Sequence, residues 1–372
     1  MNLRLFPLLI GCIVALLPLY IRISSVNLER VSKTNALLCL IPILILLFNE
    51  KLRSFPIILK SILIAAMFHL IIFQYEPAAM IGIYQSISIC AGSMFLIKYH
   101  ESYNESDNNI IFNSMCIGAL IQCVMAAFQI FNVDIYSGAL LYFNKNTAAA
   151  GPSADGHRAI FGSFQNPNIL GAYLAMCLPA FFRSRNLVFL SVIVFAAIVS
   201  TESLMPIAAA ILAVSYFIVS KLNNKFEKFY YILFPIFFYG FCFIFPGATS
   251  DRAMIWSWYL DKIDLRHFLI GKSTSWLPLN VMYIGTGFVD NVHNEFLTLL
   301  NIFGILSLAA VGYIIYLVVI NKDKNRIFAA TLFASFFIML GNFPMHIAST
   351  SFLTLIALAH CLKGSYVGNV EW

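Results

Sequence analysis

Apolar residues fall into twelve runs along the chain, at 5–21, 35–48, 57–73, 80–97, 110–131, 167–182, 187–200, 204–220, 229–246, 305–320, 327–343 and 351–362. A helix needs about 20 apolar residues to cross a hydrocarbon core of about 30 Å, and several of these runs are shorter. The pair 187–200 and 204–220 is the weakest, and forms either two spans or a re-entrant hairpin around Thr201-Glu202-Ser203. The pattern predicts an all-α polytopic membrane protein of about twelve transmembrane helices. No polar stretch is long enough for a separate soluble fold, so residues 1–372 are expected to form one integral membrane domain.

Composition sharpens this picture. The chain is 60% hydrophobic and 11% charged, against about 25% charged in soluble domains, and its mean hydropathy is +0.84. The net charge of +6 is no nucleic-acid signal, because the basic residues lie mostly in short connections between apolar runs. With the N-terminus inside, Arg4, Lys51, Arg53, Lys60, Lys98, Arg183, Arg185, Lys221, Lys225, Lys228, Lys322, Lys324, Arg326 and Lys363 face the cytoplasm. Most of the remaining basic residues lie in two long loops, 132–166 and 247–292. The positive-inside rule then puts both termini in the cytoplasm and both long loops on the outward face. No small-x-small cleavage site precedes Arg22, so the first run is expected as a retained span.

Several classes of chemistry are excluded. The eight cysteines, at 12, 39, 90, 116, 123, 177, 242 and 361, all lie in apolar runs without zinc spacing or a CxxC pair, and are expected as buried small hydrophobes. There is no phosphate-cradling glycine motif, no nucleophile elbow, and no carboxylate pair or histidine cluster for a metal, so neither metal nor cofactor is expected. Ionisable residues inside the runs are scarce: His69 is the clearest, with Lys60 near the edge of the same run. Ion-coupled transporters embed such residues in their spans.

Candidate chemistry gathers in the two long loops and just beyond them. In 247–292, Asp251-Arg252-Ala253-Met254-Ile255-Trp256-Ser257-Trp258-Tyr259 places apolar residues at 254, 255, 258 and 259, as a helix lying on the membrane surface would. Arg252, at its start, offers a planar fork of donors suited to a phosphate or pyrophosphate. Alternatively it anchors at the interface or pairs with Asp251. His293 is expected in the first turn of an apolar helix capped by Asn291. That helix end disfavours the imidazolium, leaving a neutral ring able to act as general base. It equally favours an anion such as a departing pyrophosphate; otherwise His293 caps or snorkels. Glu295 either orients the site or satisfies the helix dipole, and Asn294 joins it as a candidate substrate contact. In the other loop, Asn166-Pro167-Asn168 signals a helix start with Asn166 as N-cap and proline in the first turn. Asn166 is also a candidate substrate contact, and Arg158, beside His157, is a candidate second anion contact.

Three stretches, GSFQNPNILGAYLAMCLP (162–179), RAMIWSWYLDKIDLRHFLIGK (252–272) and HNEFLTLLNIFGILSL (293–308), resemble the O-antigen ligase and O-antigen polymerase superfamily of bacterial membrane glycosyltransferases. The resemblance covers roughly 110–362, with HNEFLTLLNIFG its most specific part, and GNFPMHIASTS (341–351) is similar to the family's last outward turn. It implies a C-type glycosyltransferase fold acting on an undecaprenyl-pyrophosphate-linked glycan at the periplasmic face, without metal or nucleotide sugar. By motif, His293 is the implied base and Arg252 the implied pyrophosphate contact. The family's T-x-S-R-like turn is here Thr201-Glu202-Ser203-Leu204, without the arginine most typical of ligases.

The resulting expectation is a polysaccharide polymerase that transfers a lipid-linked oligosaccharide onto another lipid-linked repeat unit. Its expected partners are the donor, the acceptor glycan, the membrane and a chain-length regulator, with no nucleic acid. The alternatives are an O-antigen ligase acting on lipid A core and, from another class, a flippase or transporter of lipid-linked oligosaccharide.

Overall fold

The computed structural model describes residues 8, 10–16, 107–131, 160–164, 166–222, 227–244, 252–271, 283–284, 287–288, 293–321, 325–342, 344–346 and 348–362. The runs 35–48, 57–73 and 80–97, with Lys60, His69, Cys39 and Cys90, lie outside the described residues, as do His157 and Arg158.

The described chain is helical apart from a short antiparallel hairpin, β1 (Tyr283–Ile284) with β2 (Gly287–Phe288). The helices are α1 (Asn108–Ile130), α2 (Pro167–Cys177), α3 (Arg185–Val199), α4 (Leu204–Leu222), α5 (Glu227–Ile244), α6 (Arg252–Leu260), α7 (Leu265–Ile270), α8 (Glu295–Phe303), α9 (Ile305–Ile320), α10 (Arg326–Met339) and α11 (Ala348–Leu362). A 3₁₀ turn, Leu178–Arg183, extends α2, and another, Pro344–His346, precedes α11. Among the described residues, two helices are long and apolar enough to cross a membrane by length and composition, Asn108–Ile130 and Leu204–Lys221. Shorter apolar helices accompany them in α3, α5, α9, α10 and α11.

The core is built on α10, where every residue from Ile327 to Ser335 is buried. It packs against α2, α4 and α11. Thr331, Ser335 and Thr354 inside this core each find a hydrogen-bond partner, as an apolar interior demands. Thr331 donates to the Met176 carbonyl at 2.9 Å, and the Ser335 and Thr354 hydroxyls share a 2.6 Å bond. Tyr216 of α4 stacks on Phe333 at 5.0 Å. Small residues allow close helix approach: a Cβ at Gly171 would stand 2.6 Å from Pro206 Cβ. The helical stretch 10–16 docks on α2, with the Tyr173 hydroxyl donating to the Val14 carbonyl at 2.9 Å. Five described cysteines are buried as expected, but Cys12 is exposed, because its side of the stretch faces away from α1 and α2.

The bundle has two chemically different ends. At one, Arg183 bonds to the Asn109 carbonyl and the Asn113 side chain, and Asn321 donates to the Cys361 carbonyl at 2.7 Å. Arg185, Lys221 and Arg326 also mark that end. At the other lie the start of α2, the turn 200–203, the junction of α5 with α6, the start of α8 and the turn between α10 and α11. Thr201-Glu202-Ser203 joins α3 to α4 as a tight helical hairpin whose tip rests on α2: Ser203 donates to Asn168 Oδ1.

Helices α8 and α9 are separated by a sharp bend at Gly304, with φ +71° and ψ −168°, a conformation open essentially to glycine alone. A Cβ there would also fall 2.3 Å from the Leu269 carbonyl oxygen of α7. Gly304→Ala is therefore expected to destabilise the protein by about 2–5 kcal/mol through strain and overpacking. The measurement is the thermal unfolding midpoint in detergent, which should fall clearly below that of the wild type.

Candidate functional site

Helix α8 opens the polar end, but its start differs from the sequence expectation. Asn294, not Asn291, is the N-cap: its Oδ1 accepts from the Leu297 amide at 3.0 Å, and the helix begins at Glu295. His293 therefore precedes the cap instead of lying in the first turn, and adopts φ +52°. Histidine tolerates this left-handed region better than most side chains. The other non-glycine residue with positive φ among those described, Glu202, caps the hairpin at the same end. Tertiary bonding supports the cap at Asn294, because its side chain also reaches two neighbouring helices.

Those bonds are specific. Asn294 Nδ2 donates to the Tyr239 hydroxyl of α5 at 3.0 Å and to the Leu340 carbonyl at the end of α10 at 2.8 Å. Both amide hydrogens are thus committed, and Asn294 is 0% exposed. Its bonds tie the start of α8 to α5 and to the end of α10. Glu295 is also buried, and its Oε1 accepts from the Met345 amide at 2.9 Å. It ties α8 to the turn before α11. Asn166 caps α2 as the sequence predicts, accepting from the Asn168 amide at 2.8 Å, with Pro167 in the first turn.

Arg252 begins α6, one helical turn before Trp256 and on the same face. Trp256 meets Tyr239 edge to face, with ring centroids 5.4 Å apart. The Tyr239 ring therefore carries the face of α6 that includes Arg252, while its hydroxyl holds the residue after His293. The Tyr259 hydroxyl donates to the Leu297 carbonyl at 3.4 Å, so the last turn of α6 touches the first turn of α8. Helix α6 does not present the membrane-facing surface expected from its sequence. Ile255 and Tyr259 are buried against α5 and α8, and Met254 is left exposed, because the helix packs on protein through Ala253, Ile255, Trp256 and Tyr259.

Arg252 is half-buried, and no described residue gives it a hydrogen bond or ion pair. Burial lowers its pKa from the ordinary value, while neighbouring Cys242 acts in the opposite sense. Arginine keeps its charge under such shifts. The direction therefore records lost hydration, which an anion placed against the guanidinium would offset.

Sequence reasoning did not single out a further polar group at this end. Asn168, Asn342 and Thr350 line a cleft of about 10 Å³ between α2, the end of α10 and the turn before α11. That is room for about one water molecule. The signal was present as isolated amides and hydroxyls at the ends of apolar runs. Among the described residues, no group of three or more histidine, cysteine or acidic side chains is arranged to hold a metal.

Taken together, the polar end joins Arg252, His293, Asn294 and Glu295 through Tyr239 and the turn between α10 and α11, with Asn166 and Asn168 at the start of α2. It offers a cation without a counter-ion among the described residues and a titratable ring, at two helix starts linked through Tyr239. Compared with known proteins, the chain matches no family model, no curated protein and no solved structure.

Proposed function

We propose that this protein is a polytopic membrane glycosyltransferase that polymerises lipid-linked oligosaccharide at the outer face of a bacterial inner membrane. The observation that carries the reading is Arg252, a partly buried guanidinium without an anion among the described residues, linked through Trp256 and Tyr239 to the helix start that His293 precedes. The fold and the resemblance of 162–179, 252–272 and 293–308 to the O-antigen ligase and polymerase superfamily point the same way. So does the location of charge. In the described apolar helices α1, α3, α4, α5, α9, α10 and α11, acidic and basic residues occur only in terminal turns. A transporter would carry them deep in its spans.

In the proposed reaction, a hydroxyl at the nonreducing end of an acceptor repeat attacks the anomeric carbon of a donor glycan. The bond from that carbon to the pyrophosphate oxygen breaks, and undecaprenyl pyrophosphate departs. His293 takes the hydroxyl proton, and Arg252 stabilises the charge developing on the diphosphate. Arg158 is proposed as a second contact to that anion. Positioning and electrostatic stabilisation supply most of the rate, so neither metal nor nucleotide is required.

The test is complementation of a deletion strain with His293→Ala, read as the length distribution of surface polysaccharide. Single repeat units on the lipid A core are the expected result. Polymer of normal length on the core would remove His293 from the chemistry, and normal-length polymer stranded on the carrier lipid would instead assign the protein as a ligase.

A further inference from the structure

Helix α7 is inside out for a segment in water. Its inward residue is a histidine: His267 is 0% exposed, and its Nε2 shares a 2.7 Å hydrogen bond with Asn301 of α8. Apart from Arg266, its outward residues are apolar, with Leu265 74%, Ile270 54%, Leu269 47% and Phe268 39% exposed. The helix is nevertheless firmly held. Asp264 caps it by accepting from the His267 amide at 2.6 Å, and His267 meets Tyr259 edge-on. Its final turn lies against the Gly304 bend, where the space of an absent Cβ is filled by the Leu269 carbonyl.

The exposed face does not end with α7. Leu306, two residues beyond the bend, is exposed, and the apolar surface continues down α9 through Tyr313, Tyr316 and Ile320. Helix α9 rises about 24 Å over its 16 residues, most of a hydrocarbon core of about 30 Å. If its C-terminal end sits at the inner boundary, the bend that α7 packs on falls near the outer one. The groups around α7 suit that level. Exposed Arg266 lies in its first turn and exposed Lys262 just before it, and the Lys262 ammonium lies 5.9 Å from the Trp258 ring. Basic and aromatic side chains of this kind anchor at the boundary between acyl chains and headgroups.

We infer that α7 is the membrane-interface anchor of the 247–292 loop, seated in the outer leaflet with Leu265, Phe268, Leu269 and Ile270 among phospholipid acyl chains. The His267–Asn301 bond fixes α7 to α8 and so couples the bilayer surface to the helix start that presents His293. The inference deepens the proposed function and rests on its reading of the chain as a membrane enzyme with its site outward.

The experiment uses the full chain in lipid nanodiscs. A fluorescent coumarin amino acid replaces Leu269 or, separately, Tyr313 on α9. Quenching is compared for nitroxide lipids labelled near the headgroup, nitroxide lipids labelled near the chain terminus, and aqueous iodide. The position-269 probe should be quenched most by the shallow lipid label and be several-fold protected from iodide; the position-313 probe should favour the deep label. Lipid quenching at 313 with iodide quenching at 269 overturns the anchor and leaves the membrane reading standing. Iodide quenching at both overturns the membrane reading itself. A 269 probe reached by neither quencher also overturns the anchor, since protein then covers the face. The same comparison at Leu265, the most exposed position of α7, decides the matter if the 269 variant does not fold.

Discussion

Arg252→Ala is expected to reduce glycan transfer at least about a hundredfold, equivalent to about 3 kcal/mol of lost transition-state stabilisation. The loss should fall on kcat/KM, because the guanidinium is proposed to meet the charge that develops on the leaving diphosphate. Arg252→Lys should recover only part of it: an ammonium keeps the charge but loses the fork that grips two oxygens. The same substitution to alanine should leave the thermal unfolding midpoint unchanged or slightly higher. Arg252 makes no bond to any described residue, so its removal deletes a dehydration cost and no partner. A functional residue thus separates from a structural one by two readouts of the same variant. Equal losses of stability and activity would assign Arg252 to the fold.

Asn294→Ala has the opposite signature. It removes the cap on Leu297, and it strands the Tyr239 hydroxyl and the Leu340 carbonyl in a buried setting. Losing a helix cap costs about 1 kcal/mol, and each buried group left without its partner about 1–3 kcal/mol more. A total destabilisation of roughly 3 kcal/mol or more is expected, read as a lower unfolding midpoint and reduced yield of folded protein. Asn294→Asp discriminates further. A carboxylate still caps Leu297, but it turns an acceptor toward the Leu340 carbonyl where a donor is required, so aspartate should rescue little. Full rescue by aspartate would mean that the cap alone matters, and that the stitch from α8 to α10 does not.

These two residues also show what the sequence could and could not display. Asn166-Pro167 is legible because cap and first-turn proline are local: the side chain bonds two residues ahead, and no distant partner is needed. The start of α8 is misread by three residues because two asparagines offer local caps, and the choice between them is made by Tyr239 and Leu340, which are remote in sequence. The face of α6 is misread for the same reason. Residues 254, 255, 258 and 259 look like a lipid-facing stripe until α5 and α8 close over Ile255 and Tyr259. Helix α7 escaped notice because six residues contain too few turns to show a period, and its one inward residue is a histidine. Arg252 at a helix start was legible; its lack of a protein counter-ion among the described residues was not, because that depends on what every neighbouring element brings.

The central claim is that a lipid-linked diphosphate meets Arg252 while His293 receives a proton from the incoming sugar. It is tested most directly by reconstituting the purified protein in vesicles with a polyprenyl-pyrophosphate-linked repeat unit, without nucleotide and with a chelator present. The account predicts longer lipid-linked glycans together with an equal number of released polyprenyl pyrophosphates, and neither product from Arg252→Ala or His293→Ala vesicles. Substrate that crosses the bilayer chemically unchanged, or elongation that proceeds undiminished in both variants, would contradict it.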